Sequence, residues 1–317
     1  QPLDVHDPKH PQKRSMELGP RDRLSQAFEK ERQKGGTIPG EFGDYVHLDV
    51  RHMGEKKIDK KIPFVRELCR NYVGIDPVRE LIPVRPVVHY MMGGVHTNKD
   101  GETTLPGLFA AGECACVSIN GANRLGSNSL TELLVFGARA ARAAVRFVSH
   151  HDTIAIEEMK NLAQAEQKRL REQFFQPKGG TETIAGLRVE LNQAMESGAG
   201  IYRDEVSLRN TCTHLKDLNK RFCNIELADH SLTFNTELTA ALELEYLLDV
   251  AEAVAHSALM RTESRGSHQR TDFPLRDDEK FLKHSLVYHT ESNNPRIEYL
   301  DVVVTHWPPG KRTYGSP

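Results

Sequence analysis

The sequence predicts a multidomain chain of mixed α+β and α/β character, and three observations carry that expectation. Short apolar runs punctuated by Gly and Pro occupy roughly the first third, through "KGGTIPGEFGD", "GIDPVRELIPVRP" and "RPVVHYMMGGVHTNKDGETTLPGLFAAGE". A helix-period stretch then opens after the small-residue loop "GANRLGSNS". Four long helical segments follow, the last of which, "TELTAALELEYLLDVAEAVAHSALMR", contains no Gly or Pro and carries a broad apolar stripe, as a bundle helix does. The chain has 317 residues, enough for one large domain or two to three modest ones.

Taken in order, residues 1–86 read as a compact α+β segment, with a helix over Arg21–Lys34 behind the Gly19-Pro20 start signal. Val87–Met92 and Gly94–Thr97 are expected as strands, with "NKDG" (Asn98–Gly101) as a hairpin turn. "GLFAAGE" (Gly107–Glu113) reads as a short buried strand. From Ser127 to about Val148 the period becomes helical, with Ser127 or Asn128 as N-cap and Leu130, Leu133, Leu134, Phe136, Ala140 and Val145 on the apolar side. Helices are then expected over about 154–174, 181–197, 203–226 and 236–262. The tail from Thr262 reads as irregular and rich in charge, closing on a strand over Ile297–Thr305.

Composition removes several function classes. The chain is 38% hydrophobic and 27% charged with a formal net charge of −2. That balance supplies no electrostatic footprint for nucleic acid or an anionic membrane. No run reaches the roughly 18 apolar residues that a bilayer span needs. The start lacks Met and the pattern of a signal peptide, which suggests a piece of a longer protein. The five cysteines, Cys69, Cys114, Cys116, Cys212 and Cys223, are odd in number and scattered, so they read as reduced thiols without a disulfide framework or a zinc site.

The chemistry-bearing stretch is "GANRLGSNSLTELLVFG" (Gly121–Gly137). Its Gly-x4-Gly-Ser spacing resembles a P-loop but lacks the lysine, and no G-x-G-x-x-G occurs in the chain. A helix N-terminus carries roughly half a positive charge and free N–H groups, so it favours an anion or a reducible ring. Arg124 adds a planar fork suited to a carboxylate. A surface ion pair explains Arg124 equally well on composition alone. His89, in "PVVHYMMGGV", fits either a core histidine or a donor to a carboxylate. Arg21 in "GPRDR" fits solvated charge at a helix start, and "TESRGSHQRTDFPLRDDEKFLKH" (Thr262–His284) fits a salt-bridged structural loop or a partner-facing surface.

Taken together, "HYMMGGV", "GLFAAGECACVSINGANRLGSNSL" and "TESRGSHQRTDFPLRDDEKFLKHSL" resemble the flavoprotein subunit of fumarate reductase and succinate dehydrogenase, in order over nearly the whole chain. "RHMGEKKIDKKIPFVRELCRNYVGIDP" and "PPGKRTYG" are nearer the fumarate reductase branch. The resemblance implies the end of a capping domain over 1–86, the return segment of a Rossmann-type FAD domain over 87–150, a helical bundle domain over 151–262 and a small C-terminal domain over 263–317. It also implies that the Rossmann fingerprint, the histidine carrying covalent FAD and a further substrate-facing stretch lie in an N-terminal region outside this sequence.

Residue by residue, the resemblance implies that Arg21 exchanges the proton with substrate, that His89 binds one end of the dicarboxylate and that Arg124 clamps a carboxylate. Glu113 would meet the FAD ribose, while Ser129 and Leu130 would present backbone to the isoalloxazine. Asn120 stands where relatives often have His, a departure beside the flavin. An arginine acid is unusual, because a guanidinium ordinarily holds its proton to above about pH 12, so the proton must be replaced through a relay. The implied partners are an iron–sulfur subunit and membrane anchor subunits, with no nucleic acid and no metal. The implied place is peripheral, on the cytoplasmic face of the inner membrane or the matrix side of an organelle. An L-aspartate oxidase shares "GANR" and "NSL", but the "RDDEKFLKHS" stretch points away from it. The 317 residues alone, without the FAD-holding half, are expected to be catalytically silent.

Overall fold

The computed structural model describes residues 21–41, 43–151, 156–176, 179–290 and 294–310. The chain divides into two compact units, one extending to His89 and the other spanning Tyr90–Pro309.

In the first unit, helix α1 covers Arg21–Gln33, close to the expected span; the Gly19-Pro20 start signal lies outside the described residues. Strands β1 (Val46–Leu48) and β2 (Ile82–Val84) pair antiparallel. Between them run α2 (Glu55–Lys61) and α3 (Pro63–Leu68), the latter started by Pro63, whose ring suits a first helical turn. Val50, Ile58, Cys69 and Ile82 form a small core. Beside it the buried Arg66 reaches Asp59 at 2.7 Å and both Glu55 and Asp76 at 2.8 Å, and this pairing holds the Asp76 carboxyl well below the usual carboxylate range.

The segment from Val87 onward departs from expectation. Val87–Met92 forms no strand, because among the described residues nothing supplies a ladder for it, and Val88 is exposed. Asn98–Gly101 is a turn, with Gly101 N–H donating to the Asn98 carbonyl at 3.1 Å, yet it closes no hairpin. Strand β3 (Val95–His96) instead pairs parallel with β4 (Ala115–Cys116). Gly94 makes that pairing possible: its φ is 152°, and a Cβ there would fall 2.4 Å from the Cys114 carbonyl oxygen. Gly107–Glu113 is not a buried strand either; it makes a single bridge, Phe109 to Glu102, and stays half exposed.

Helix α4 (Asn128–His150) starts where the period predicts. Ser127 occupies the cap position but at φ 64°, and its hydroxyl caps nothing. The predicted apolar side divides: Ala140 is buried, whereas Leu130, Leu133, Leu134 and Val145 are exposed. The helical region is formed by α5 (Ile156–Phe174), α6 (Ile184–Gly198), α7 (Glu205–Phe222) and α8 (Thr236–Met260). Three of these carry side-chain caps that fix their first residues: Thr183 accepts from Gly186 N–H, Asp204 from Ser207 N–H and Asn235 from Leu238 N–H. Leu187, Leu191, Leu215, Leu218, Leu244 and Leu248 meet in one core, the knobs of helices packed side by side.

The tail is not irregular as expected. After a single turn, α9 (Asp278–Phe281), β5 (Lys283–Tyr288) pairs antiparallel with β6 (Arg296–Asp301), which ends short of the expected Thr305. The loop before it is salt-bridged throughout. Glu263 is fully buried and accepts from Arg261 at 2.8 Å, from Arg265 at 2.7 Å and from Asp277 N–H at 2.9 Å. Arg270 grips Asp272 with both arms at 2.7 Å and donates to the Ala258 and Leu259 carbonyls, which closes the C-terminal end of α8. No helix among the described residues is long and apolar enough to cross a membrane.

Candidate functional site

Arg124 sits on the loop that leads into α4, half-buried. Its guanidinium carbon lies 4.3 Å from the centre of the Tyr90 ring, and Nη1 donates to the Leu125 carbonyl at 3.2 Å. Its Nε is buried and has no hydrogen-bond partner among the described residues. A buried N–H without an acceptor costs about 1–3 kcal/mol, which sets this atom apart from the satisfied donors around it. No carboxylate pairs with Arg124 among the described residues, which removes the surface ion pair left open above.

The same loop delivers the start of α4. Gly121 and Gly126 have open space where a side chain would stand, and Ser127 in the left-handed region turns the backbone into the helix without capping it. Ser129 and Leu130 fall in that uncapped first turn, Ser129 half-buried and Leu130 exposed. Asn128 N–H donates to the Leu125 carbonyl at 3.2 Å, and no side chain caps the N–H groups that follow it. Glu113 is exposed and accepts from Met91 N–H through Oε1 at 2.8 Å. That bond ties the segment after Tyr90 to the β4 side of the site and leaves the second carboxylate oxygen free of any hydrogen bond among the described residues.

Arg21 and His89 belong to the first unit. Arg21 opens α1, exposed, and contributes its carbonyl to Ser25 Oγ at 3.0 Å. His89 is exposed, which excludes the core-histidine reading. The second unit thus gathers Arg124, Glu113, Ser129 and Leu130, while Arg21 and His89 are described apart from them.

Three residues around Arg124 escaped the sequence reading. Glu132, on the second turn of α4, is 2% exposed and accepts through one oxygen from both Tyr90 OH and Asn120 Nδ2, each at 2.9 Å. Burial and this hydrogen bond push the Tyr90 phenol up from its ordinary pKa. A signal was present: Glu132 is an acid inside the apolar run "LTELLVFG", where an unpaired carboxylate would be costly. Ser267 was hidden in the charged tail; its N–H and Oγ donate to the Ala122 carbonyl at 2.9 and 2.6 Å, beside Arg124.

Comparison with known proteins sets these features in a family. An FAD binding domain model matches residues 9–130, and a model described as fumarate reductase flavoprotein C-term matches residues 188–314. The fold is therefore that of a flavoprotein with an FAD-binding domain and a C-terminal helical and sheet region. The fumarate reductase flavoprotein subunit of Mycobacterium tuberculosis is 57% identical over 308 residues, 96% of this chain and 53% of the relative. The succinate dehydrogenase flavoprotein subunit of Rickettsia conorii is 36% identical over 320 residues, 95% of this chain and 52% of the relative. A solved variant of Escherichia coli quinol fumarate reductase FrdA superposes with a TM-score of 0.89 at 45% identity, over 100% of this chain and 53% of that one. The chain belongs to the family of fumarate reductase and succinate dehydrogenase flavoprotein subunits, nearer its fumarate reductase members. It spans about half the length of the curated relatives it matches.

Proposed function

We propose that this chain serves the interconversion of fumarate and succinate in an FAD-dependent oxidoreductase, with Arg124 as the carboxylate clamp. The observation that carries the reading is the buried, unpartnered Arg124 Nε beside the uncapped start of α4. The residues present fit FAD on that side: open space at Gly121 and Gly126, free first-turn N–H groups at Ser129 and Leu130, and a free oxygen of Glu113 for a ribose hydroxyl. When bound, the flavin supplies or accepts the hydride.

The work of the chain is binding, orientation and proton supply. Arg124 holds one substrate carboxylate in a planar fork, which fixes the alkene and favours charge developing on it in the transition state. His89 donates to the other carboxylate. Arg21 delivers the proton to the carbon that does not receive hydride, and is reprotonated through a relay. The uncapped start of α4 would hold the flavin side of the site, where its positive end would favour negative charge on a bound ring. These roles rest on the family resemblance, and the four-part division at 86, 150 and 262 rests on it as well.

The assembly follows from the same reading: an iron–sulfur subunit takes or gives the electrons, and membrane anchor subunits bring the complex to quinone. In the family reading this chain sits peripherally on the membrane.

The test uses FAD-loaded protein at the full length of its relatives, assayed for dye-linked fumarate reduction. Arg21→Lys is expected to lose at least about a hundredfold in kcat, the scale of a lost general acid. Wild-type turnover in that variant would refute the acid role.

A further inference from the structure

Arg124 does not hold itself in place. Its guanidinium lies over the Tyr90 ring at 4.3 Å, a contact in which the ring face attracts the cation and fixes the plane of the fork. The ring in turn is tethered at its far end, where Tyr90 OH donates to Glu132 Oε2 at 2.9 Å. Glu132 is 2% exposed and stands on α4, five residues into the stretch after Ser127, so the anchor is a rigid helix rather than a loop. The same oxygen accepts from Asn120 Nδ2 at 2.9 Å, which draws the loop preceding Arg124 onto the same point. A buried carboxylate with two donors on one oxygen is a fixed post, since losing either donor leaves it undersatisfied.

The geometry points to Tyr90 and Glu132 as positioning residues for dicarboxylate binding: Glu132 fixes the Tyr90 ring, and the ring presents the Arg124 fork to the substrate carboxylate. This rests on the reading of Arg124 as the clamp. A free arginine side chain loses rotamer freedom when it grips a ligand. A guanidinium already held over a tethered ring has lost part of that freedom before substrate arrives. The gain is shared by ground state and transition state, so it belongs in KM and in the affinity for a non-reacting dicarboxylate, with kcat spared.

The tether is tested in FAD-loaded protein at the full length of its relatives, with the KM for fumarate, the kcat and the Kd for malonate. Tyr90→Phe keeps the ring and removes only the hydroxyl. It is expected to raise KM and the malonate Kd about five- to tenfold with kcat within about twofold, the scale of one typical net hydrogen bond. Glu132→Met is expected to do the same, and the double variant to be no worse than the more affected single one, because both cut one tether. If Glu132→Met fails to fold, Tyr90→Phe decides alone. Arg124→Ala in parallel separates the two readings. Raised constants in Arg124→Ala beside unchanged constants in Tyr90→Phe would overturn the tether and keep the clamp. Unchanged constants in Arg124→Ala would overturn both. A lower melting temperature in Tyr90→Phe with KM and malonate Kd at wild-type values would mark the contact as structural only and overturn the proposal.

Discussion

The helices α6, α7 and α8 and the helix α4 are built from similar amino acids and end up in opposite conditions. The first three bury Leu187, Leu215, Leu218, Leu244 and Leu248 completely, and each starts on a residue whose side chain accepts a first-turn N–H. Helix α4 leaves Leu130, Leu134, Val145 and Val148 exposed and starts on Ser127, strained into the left-handed region with no capping bond. The difference teaches where the molecule spends its order. The three-helix region closes a leucine core and caps its own helix starts, whereas α4 in this chain, which spans about half the length of its relatives, leaves an apolar face and an uncapped positive end.

Core truncation breaks this contrast most strongly. Leu248→Ala should cost about 2.7–5 kcal/mol, because it empties a fully packed site, while Leu134→Ala in this 317-residue chain should stay within about 0.5 kcal/mol. Urea unfolding followed by circular dichroism reads both, and equal losses would erase the distinction between the two regions.

Acid should loosen the tail that braces α8. Burial, with the Arg203 cation second, holds His268 down to about 4, well below the ordinary imidazole value. The unfolded chain therefore binds an extra proton in that window. The neutral imidazole contributes its full stability above pH 6.5 and loses it as pH falls towards 4, about 3 kcal/mol across the range. Unfolding free energies at pH 7 and pH 4.5 measure the drop, and His268→Gln should reduce it.

The caps give the finest division. Asn235→Ala and Asp204→Ala should each cost about 1 kcal/mol. Ser127→Ala should cost almost nothing, and Ser127→Gly should gain about 0.5 kcal/mol by relieving the positive φ. Melting temperatures of the four variants rank them.

The sequence made α6 to α8 legible because capping residues and helical period are local signals that agree there with the packing, while α1, α4 and α5 were legible from the helical period alone. The strands were harder, since a strand exists only with a partner. Val87–Met92 has the β-branched content of a strand and no ladder, while "KHSLVY" (Lys283–Tyr288) lies in a charged tail and pairs with β6 from eight residues further on. Within the site, Arg124 was visible as an odd cation on a bare loop. Tyr90 and Glu132 were not, because they lie 42 residues apart and neither carries its meaning alone. The helix period also does not distinguish the leucines of α4 that this chain covers from those it leaves exposed.

The central claim, that the unpaired nitrogen on the α4 loop marks a carboxylate clamp, has a built-in control. Arg188 also has a buried Nε without a partner, but it stands on α6 and donates to Glu243 at 3.3 Å. The direct measurement is the KM for fumarate of FAD-loaded protein, at the full length of its relatives, carrying Arg124→Ala or Arg188→Ala. Loss of the clamp should raise KM about a hundredfold, with the Arg188 variant at the wild-type value. A KM unmoved by Arg124→Ala, or moved equally by both changes, would contradict the account.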